Sequence, residues 1–303
     1  MTWNVHRVIF RLRSPLHIGW RKVGNVQVTR PYLTGRSFWG ALTERLVRNA
    51  AAQTAQTATD SNGYQEFKTP SINDSAPDTK GQTATDSNGY QEVGKQVNEM
   101  LAFTYFYPAL QSGNDYQVVW PWEEERTFRW RFLSSYQSTA LVYPAHSAAE
   151  ASLHEIEFLS PHTLDTADPV YLVGYVFEHT NCLIPWCGAL TRLQFGGERG
   201  YGWGKVELVR LENDDNVFGY QIDCIGRRPV ITVPKGERLL AHTKPDQAMI
   251  AGEVEPLVGR EWHTNSGAGA SITHFGVVYA PGGIATNEHC FAVESFGLWQ
   301  KQP

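Results

Sequence analysis

The sequence predicts a protein of the α+β class, because its strand-like and helix-like patterns fall in separate blocks. Residues 3–13 alternate apolar and polar side chains as a half-buried strand does, and residues 38–50 follow with a helical period. A glycine-dense segment, residues 196–204, lies between a short helical pattern and a further strand pattern. The tail, residues 213–303, consists of short strand-like runs between glycine turns, which favours a β-rich C-terminal region.

The first helix has both a start signal and an apolar face. Ser37 is a suitable N-cap, and Phe38, Leu42 and Leu46 recur at i, i+4 and i+8. These three side chains are therefore expected in the core.

Residues 51–96 differ in composition from the segments on either side. They are rich in Thr, Gln, Ser, Asn, Asp and Gly, and the string QTATDSNGYQE occurs twice, at 56–66 and at 82–92. So short and polar a duplication does not suit a structural repeat. We expect a disordered or loosely ordered insertion, with a repeated adhesive motif as the alternative.

The middle of the chain predicts further strands and one more helix. FRWRFLSS, residues 128–135, is interpreted as a strand, and PVYLVGYVF, residues 169–177, as a fully buried strand. Pro185 can open a helix whose apolar face is followed by Gly196 and Gly197. We therefore expect an ordered core over residues 1–212, interrupted by the insertion.

Composition limits the class of protein. With 303 residues, 42% of them apolar, the chain can bury one large core, and no hydrophobic run predicts a signal peptide or a membrane span. A cytoplasmic protein is expected. Four cysteines are too few and too irregular for a disulfide framework or a zinc site, so buried free thiols and no metal are expected.

The charge is distributed unevenly. The whole chain has a net charge of −5, yet residues 1–50 contain nine arginines and lysines against a single acid, Glu44. A local positive field can bind polyanions even when the whole protein is acidic. A solvated basic face or a contact with an acidic partner is the alternative interpretation.

The glycine-dense segment matches neither common nucleotide-binding pattern. The spacing of its five glycines breaks G-x-G-x-x-G, and Val206 stands where a Walker motif needs Ser or Thr. What remains is a flexible loop that carries basic and aromatic side chains, Arg199, Tyr201, Trp203 and Lys205. Such side chains suit a ribose-phosphate chain with exposed bases.

Several segments, in this order, resemble the RAMP superfamily of CRISPR effector proteins. They are LHIG, PYLTGRSFWGAL, SSYQSTAL followed by AAEASLHEIEF, and the glycine loop from Arg192 to Lys205 between a helix and a strand. The resemblance implies a ferredoxin-like (RRM-like) fold of one or two βαββαβ units. Residues 213–303 would then be a β-rich appendage or a second, degenerate unit.

The superfamily offers three roles, all in antiviral defence. Type III backbone subunits cleave target RNA with an Asp after the first strand, but residues 1–59 contain no Asp. Repeat-cleaving, metal-independent endoribonucleases use a histidine near the first helix, a position that His17 matches, although a structural histidine is the more common case. The third role, a non-catalytic subunit that caps the 5′ handle of crRNA, fits the length, the insertion and the single glycine loop best.

The resemblance and the charge pattern together predict an RNA-binding set without catalytic, metal or cofactor residues. The set comprises His17, Arg21, Lys22, Arg30, Arg36, Arg192, Gly196, Gly197, Arg199, Gly200, Tyr201, Gly202, Trp203, Gly204 and Lys205. The expected partners are crRNA, the large polymerase-like subunit, backbone RAMP subunits and, indirectly, target RNA. A carbohydrate-binding β-protein remains an alternative, because ten tryptophans and 27 glycines would also suit sugar stacking.

Overall fold

The computed structural model describes residues 2–61, 83–144, 147–150, 152–245, 250–263 and 267–302. The helices are α1 (Gly35–Ser61), α2 (Thr83–Met100), α3 (Glu125–Phe132) and α4 (Trp186–Ala189). The strands are β1 (Trp3–Leu12), β2 (Gly19–Val23), β3 (Val26–Thr29), β4 (Leu101–Phe103), β5 (Tyr107–Ser112), β6 (Asp115–Val118), β7 (Leu133–Ser138), β8 (Leu141–Val142), β9 (Ser147–Ala148), β10 (His154–Leu159), β11 (Tyr171–His179), β12 (Val206–Asn213), β13 (Gln221–Asp223), β14 (Val230–Val233), β15 (Ile250–Ala251), β16 (Val254–His263), β17 (Gly267–Tyr279), β18 (Ile284–Ala285), β19 (His289–Val293) and β20 (Trp299–Lys301). Helices and antiparallel sheets coexist, in agreement with the predicted α+β class.

A central antiparallel sheet organises the chain. Its strand order is β12-β1-β11-β5-β6, with β4 also paired to β11. The first strand thus lies in the middle, between β11 and β12, which come much later in the sequence. Helix α1 follows β1 and the β2–β3 pair, whereas α4 connects β11 to β12.

The alternating side chains of β1 pack into two separate buried clusters. Val8, Phe10 and Leu12 face the helices and belong to the same buried cluster as Phe38 and Leu42 of α1. The predicted core face of α1 is confirmed, since Phe38, Leu42 and Leu46 are all buried.

The opposite face of β1 supports the C-terminal region. Trp3 and Val5 pack in a second cluster with Ile231 of β14 and Phe291 of β19. The strands β13-β14-β19-β20 form an antiparallel sheet there. Within residues 213–245, 250–263 and 267–302 there is a 3-10 turn but no α-helix, so this region lacks the helices of a second βαββαβ unit.

A smaller sheet lies beside the loop that follows β1. Its order is β2-β3-β10-β7, with β10 parallel to β3 and antiparallel to β7. Backbone bonds in both directions between Leu16 and Leu159 connect it to the first loop.

Helices occupy both ends of the segment predicted to be an insertion. Helix α1 continues to Ser61, and α2 begins at Thr83 within the second copy of the repeat. Tyr90 and Val93 pack against the core, and Val97 is fully buried within it. The Tyr90 ring meets the Trp39 ring of α1, so α2 packs on the first helix. Residues 62–82 lie outside the described residues.

Two further expectations are corrected. Residues 125–132 form α3, with Phe128 and Phe132 buried four positions apart, and the strand β7 begins only at Leu133. The four cysteines are free thiols as predicted, but Cys187 and Cys290 are exposed.

In the described part of the chain, no helix is long and apolar enough to cross a membrane. Among the same residues, no group of three or more His, Cys, Asp or Glu side chains could hold a metal ion.

Candidate nucleic-acid interface

The glycine loop, Arg192 to Lys205, is held by backbone hydrogen bonds against the first loop, which is residues 13–18 between β1 and β2. The Gly204 amide donates to the Pro15 carbonyl at 2.7 Å, and the Gly197 amide donates to the His17 carbonyl at 2.9 Å. The loop closes on itself where the Phe195 amide donates to the Gly204 carbonyl at 2.8 Å. These backbone bonds therefore fix both ends of the glycine loop to the rest of the protein.

Two of the five glycines are required by this packing. Gly196 has a φ of 76° and a Cβ there would overlap the His17 carbonyl. Gly204 has a φ of 75° and a Cβ there would overlap the Phe195 carbonyl. Gly200, by contrast, has no heavy atom within 4 Å of a built Cβ. Gly196 and Gly204 are therefore required for packing within the protein, not for close approach to a ligand.

Four arginines converge where the glycine loop meets α1. They line a cleft of about 300 Å³ together with Glu44 and Gln194. The arginines are Arg45 and Arg48 of α1 and Arg192 and Arg199 of the loop region. Four guanidinium groups against one carboxylate make this cleft strongly cationic. We call it the arginine cleft.

Glu44 holds two of these guanidinium groups in place. Arg48 donates to one carboxylate oxygen at 2.6 Å, and Arg199 donates to the other. Arg45 is fixed differently, since its Nε donates to the Arg192 carbonyl at 3.0 Å. The Arg48 and Arg199 side chains remain 65% and 44% exposed, so their other donors stay accessible to an anion.

Gln194 supports the cleft from inside the loop. Its side-chain amide donates to the Trp203 carbonyl at 2.7 Å and to the Arg199 carbonyl at 3.1 Å. These two bonds link both halves of the loop, and so they fix the backbone that carries Arg199.

The two aromatic residues of the loop have different environments. Tyr201 is 85% exposed. Trp203 is half-buried. Its ring is T-shaped to the rings of Phe158 and Tyr136, with centroid separations of 5.0 Å and 6.4 Å. Tyr201 is thus available to a ligand, whereas Trp203 already packs on the smaller sheet.

Two of the predicted basic residues lie away from the arginine cleft. Arg30 is 8% exposed and donates to Glu255 of β16 at 2.7 Å. The Arg36 guanidinium donates to the Arg260 carbonyl at 3.1 Å and lies over the rings of Phe275 and Phe296. Both contact the β16–β17 pair, so these two members of the predicted RNA-binding set do not line the arginine cleft with Arg192 and Arg199.

The Arg30 ion pair belongs to a buried polar network. His242 donates from Nε2 to Glu255 at 2.6 Å and accepts at Nδ1 from the Tyr105 hydroxyl at 2.7 Å. Burial alone would raise the pKa of Glu255, but hydrogen bonds from His242 and Arg30 outweigh it and lower the pKa to about 2. Burial lowers the pKa of His242, which favours the neutral ring.

The remaining predicted residues divide by exposure. His17 is buried, and its Nδ1 donates to the Glu157 carbonyl at 2.7 Å, which suits a structural histidine. Lys205 is exposed, while its backbone pairs with the first loop through Ser14. Arg21 and Lys22 are exposed on β2, and the Arg21 guanidinium lies 4.0 Å from the Trp20 ring.

Sequence reasoning missed three of the residues at the cleft. Glu44, Arg45 and Arg48 all belong to α1, where positions three and four apart share a face. That spacing marks Arg45 and Arg48 as neighbours, yet it gives no sign that their face points to a loop some 150 residues later. Only the pairing of β1 with β12 places the glycine loop there.

The full or partial burial of most tryptophans disfavours the carbohydrate-binding alternative, which needs exposed rings for sugars to stack on. Trp3, Trp39, Trp186 and Trp299 are buried in the cores, and among the tryptophans whose exposure the structure describes only Trp130 is mostly exposed.

No protein-family model matches the sequence, and no curated protein matches it. Among solved structures, the chain is similar to one from a type III-B Cmr-beta complex bound to cognate target RNA and AMPPnP. The two share 14% identity over 93% of this chain and 85% of the other, with a TM-score of 0.41.

A second such complex, bound to cognate target RNA, gives 13% identity, the same coverage and a TM-score of 0.42. The apo state of Cmr-beta gives 11% identity over 70% of this chain and 98% of the other, with a TM-score of 0.38.

Proposed function

We propose that this chain is a crRNA-binding subunit of a type III CRISPR effector complex, which holds the 5′ handle of the guide and docks the large subunit without cutting RNA. The observation that carries the RNA-binding part is the arginine cleft. It places four guanidinium groups at a rigid glycine loop, and planar guanidinium forks bind phosphate oxygens in pairs.

The topology supports the ferredoxin-like assignment within this proposal. The order β12-β1-β11-β5, with α1 after β1 and α4 before β12, is the 4-1-3-2 order of a βαββαβ unit. In that arrangement the arginine cleft lies between the first helix and the loop before the last strand, where the RAMP resemblance places the glycine loop.

A holding role is favoured over a cleaving role by the state of His17. A general acid or base needs to reach the ribose or the leaving oxygen. The His17 side chain is buried and its Nδ1 is bonded to the Glu157 carbonyl. The segment after β1 also contains no Asp. Both facts favour binding without bond cleavage.

The test measures how binding depends on salt. A fluorescently labelled single-stranded guide RNA with its 5′ handle is titrated with the wild type and with the double variant Arg48→Ala/Arg199→Ala at several salt concentrations. Each lost phosphate contact should flatten the slope of log affinity against log salt by roughly 0.7 for a single strand. The double variant should therefore lose about 1.4 units of slope and bind all sequences more weakly.

The charge-matched control is Lys235→Ala/Lys244→Ala, two exposed lysines of the C-terminal region. It should bind as the wild type does. Equal affinity and slope for the arginine variant and the wild type would contradict the proposal, as would specific cleavage of labelled repeat RNA by the wild type.

A further inference from the structure

One face of the smaller sheet carries a row of side chains across all four strands. Lys22 of β2 pairs with Gln27 of β3, Gln27 pairs with Ile156 of β10, and Ile156 pairs with Tyr136 of β7. Directly paired residues point to the same face of a sheet. Three strand spacings separate the ends, so the Lys22 and Tyr136 backbones are roughly 14 Å apart. We call this face the tyrosine face. Ile156 at its centre is only 4% exposed, so its most accessible side chains are Lys22 at one edge and Tyr136 at the other.

The glycine loop borders the tyrosine face. Phe158 lies two residues after Ile156 and therefore on the same face. Trp203 packs edge-on against both Phe158 and Tyr136. Tyr136 is nevertheless 59% exposed, which leaves most of its ring open to solvent beside a fixed indole.

The carboxylates of these strands belong to the opposite face. Glu155 and Glu157 alternate with Ile156 along β10. Glu157 is bound by Arg129 at 2.5 Å, and Glu155 lies 3.5 Å from the Gln137 amide. The strand residues of the tyrosine face therefore place a lysine, an amide and an aromatic ring on one surface without an intervening carboxylate.

The loop joins this surface to the arginine cleft. The Trp203 amide donates to the Glu198 carbonyl at 3.4 Å, which brings the two ends of the loop tip together. Arg199 faces α1 on one side of the loop, and Trp203 faces β7 and β10 on the other. A single strand that crosses the loop would meet cations on one side and an open aromatic ring on the other.

We propose that the tyrosine face is a nucleobase-binding platform, on which a splayed base of single-stranded RNA stacks on Tyr136 while Lys22 neutralises a neighbouring phosphate. This inference rests on the proposed RNA-binding function and adds to it a second subsite outside the arginine cleft. Stacking on an aromatic side chain contributes to affinity without reading sequence strongly, since every base has a π-face.

The experiment separates stacking from charge. The labelled guide RNA is titrated with the wild type, Tyr136→Ala, Tyr136→Phe and Lys22→Ala. Tyr136→Ala should bind about 5-fold or more weakly with an unchanged salt slope, because a ring is lost and a charge is not. Tyr136→Phe keeps the ring and should bind within about 2-fold of the wild type. Lys22→Ala should flatten the slope by roughly 0.7.

A set of RNAs with one abasic site each locates the stacked base. The loss caused by Tyr136→Ala should disappear for one abasic position and persist for the others, since ring and base then act as a pair. Trp130→Ala, another exposed aromatic, is the control and should leave binding unchanged.

The outcomes distinguish the two proposals. Salt-dependent binding by the wild type with equal affinity for Tyr136→Ala would overturn the platform and leave the arginine cleft intact. The same result with loss of assembly into a larger complex would assign the tyrosine face to a protein partner instead. Absence of RNA binding by the wild type would remove both proposals.

Discussion

Two groups of arginines in this chain lie in opposite environments, one packed against other parts of the protein and one open to solvent. Arg30 and Arg36 contact the β16–β17 pair, where one is neutralised by a buried carboxylate and the other lies over aromatic rings. Arg48 and Arg199 share one half-exposed carboxylate, Glu44, and line an open cleft.

The difference lies in the ratio of cations to carboxylates and in the burial. Around Arg30 a carboxylate and a neutral histidine complete a closed network. In the cleft, four guanidinium groups surround a single carboxylate. A count of basic residues in the first fifty positions treats Arg30, Arg36 and Arg48 alike, although of these three only Arg48 lines the open cleft.

The largest effect is expected from a substitution in the first group, at Arg30. Arg30→Ala leaves Glu255 buried without its cation, which should lower the free energy of unfolding by about 3 kcal/mol or more. Urea denaturation measures this change. The exposed counterpart, Arg48→Ala, should lower the free energy of unfolding by less than about 1 kcal/mol.

Acid should report on the same ion pair. The lowered pKa of Glu255 means that its contribution to stability is complete above pH 4.5 and is lost as the pH falls toward about 2. This loss should be smaller in Arg30→Ala, because part of the stabilisation of the carboxylate is already gone. Equal stability of Arg30→Ala and the wild type would show that the network is dispensable.

The next effect sharpens the comparison within the glycine loop. Gly204→Ala places a Cβ against the Phe195 carbonyl at a positive φ and should lower the free energy of unfolding by at least about 2 kcal/mol. Gly200→Ala meets open space and should stay within about 0.5 kcal/mol. Thermal or urea unfolding of the pair tests this, and equal losses would mean that the loop is not held as described.

The smallest effect concerns the carboxylate in the cleft. Glu44→Gln removes the charge that competes with phosphate for Arg48 and Arg199, so RNA affinity should rise by about 2- to 5-fold. The exposed Glu288→Gln serves as a control in the same titration. A fall in affinity would show instead that Glu44 mainly positions the two arginines.

Local patterns predicted the elements of the core well. The alternation of β1, the apolar face of α1 and the helix after Pro185 are confirmed, since Trp186, Ala189 and Leu190 are buried. The strand predicted over residues 128–135 is wrong for residues 128–132, which are helical, and confirmed for residues 133–135, which begin β7. There Phe128 and Phe132 share a helix face, but the aromatic and β-like composition concealed the spacing of four.

The site was predicted only in part, because its geometry depends on long-range pairing. Arg192 and Arg199 were named from the glycine loop and do line the cleft. Arg30 was named from the same basic block but is buried against β16, a contact more than 200 residues away in sequence. The role proposed for Tyr136 carries no local signal in the sequence, since it depends on which strand lies next to β7.

The position of β1 also constrains how the protein is made. Both of its neighbours in the sheet, β11 and β12, are synthesised long after it, and β12 ends at Asn213. As the chain leaves the ribosome, β1 cannot complete its pairing until that strand has emerged, so its apolar side chains lack their final sheet partners until then. The long sequence separation between β1 and its two sheet partners predicts slow folding, which is completed when β11 and β12 pair with β1.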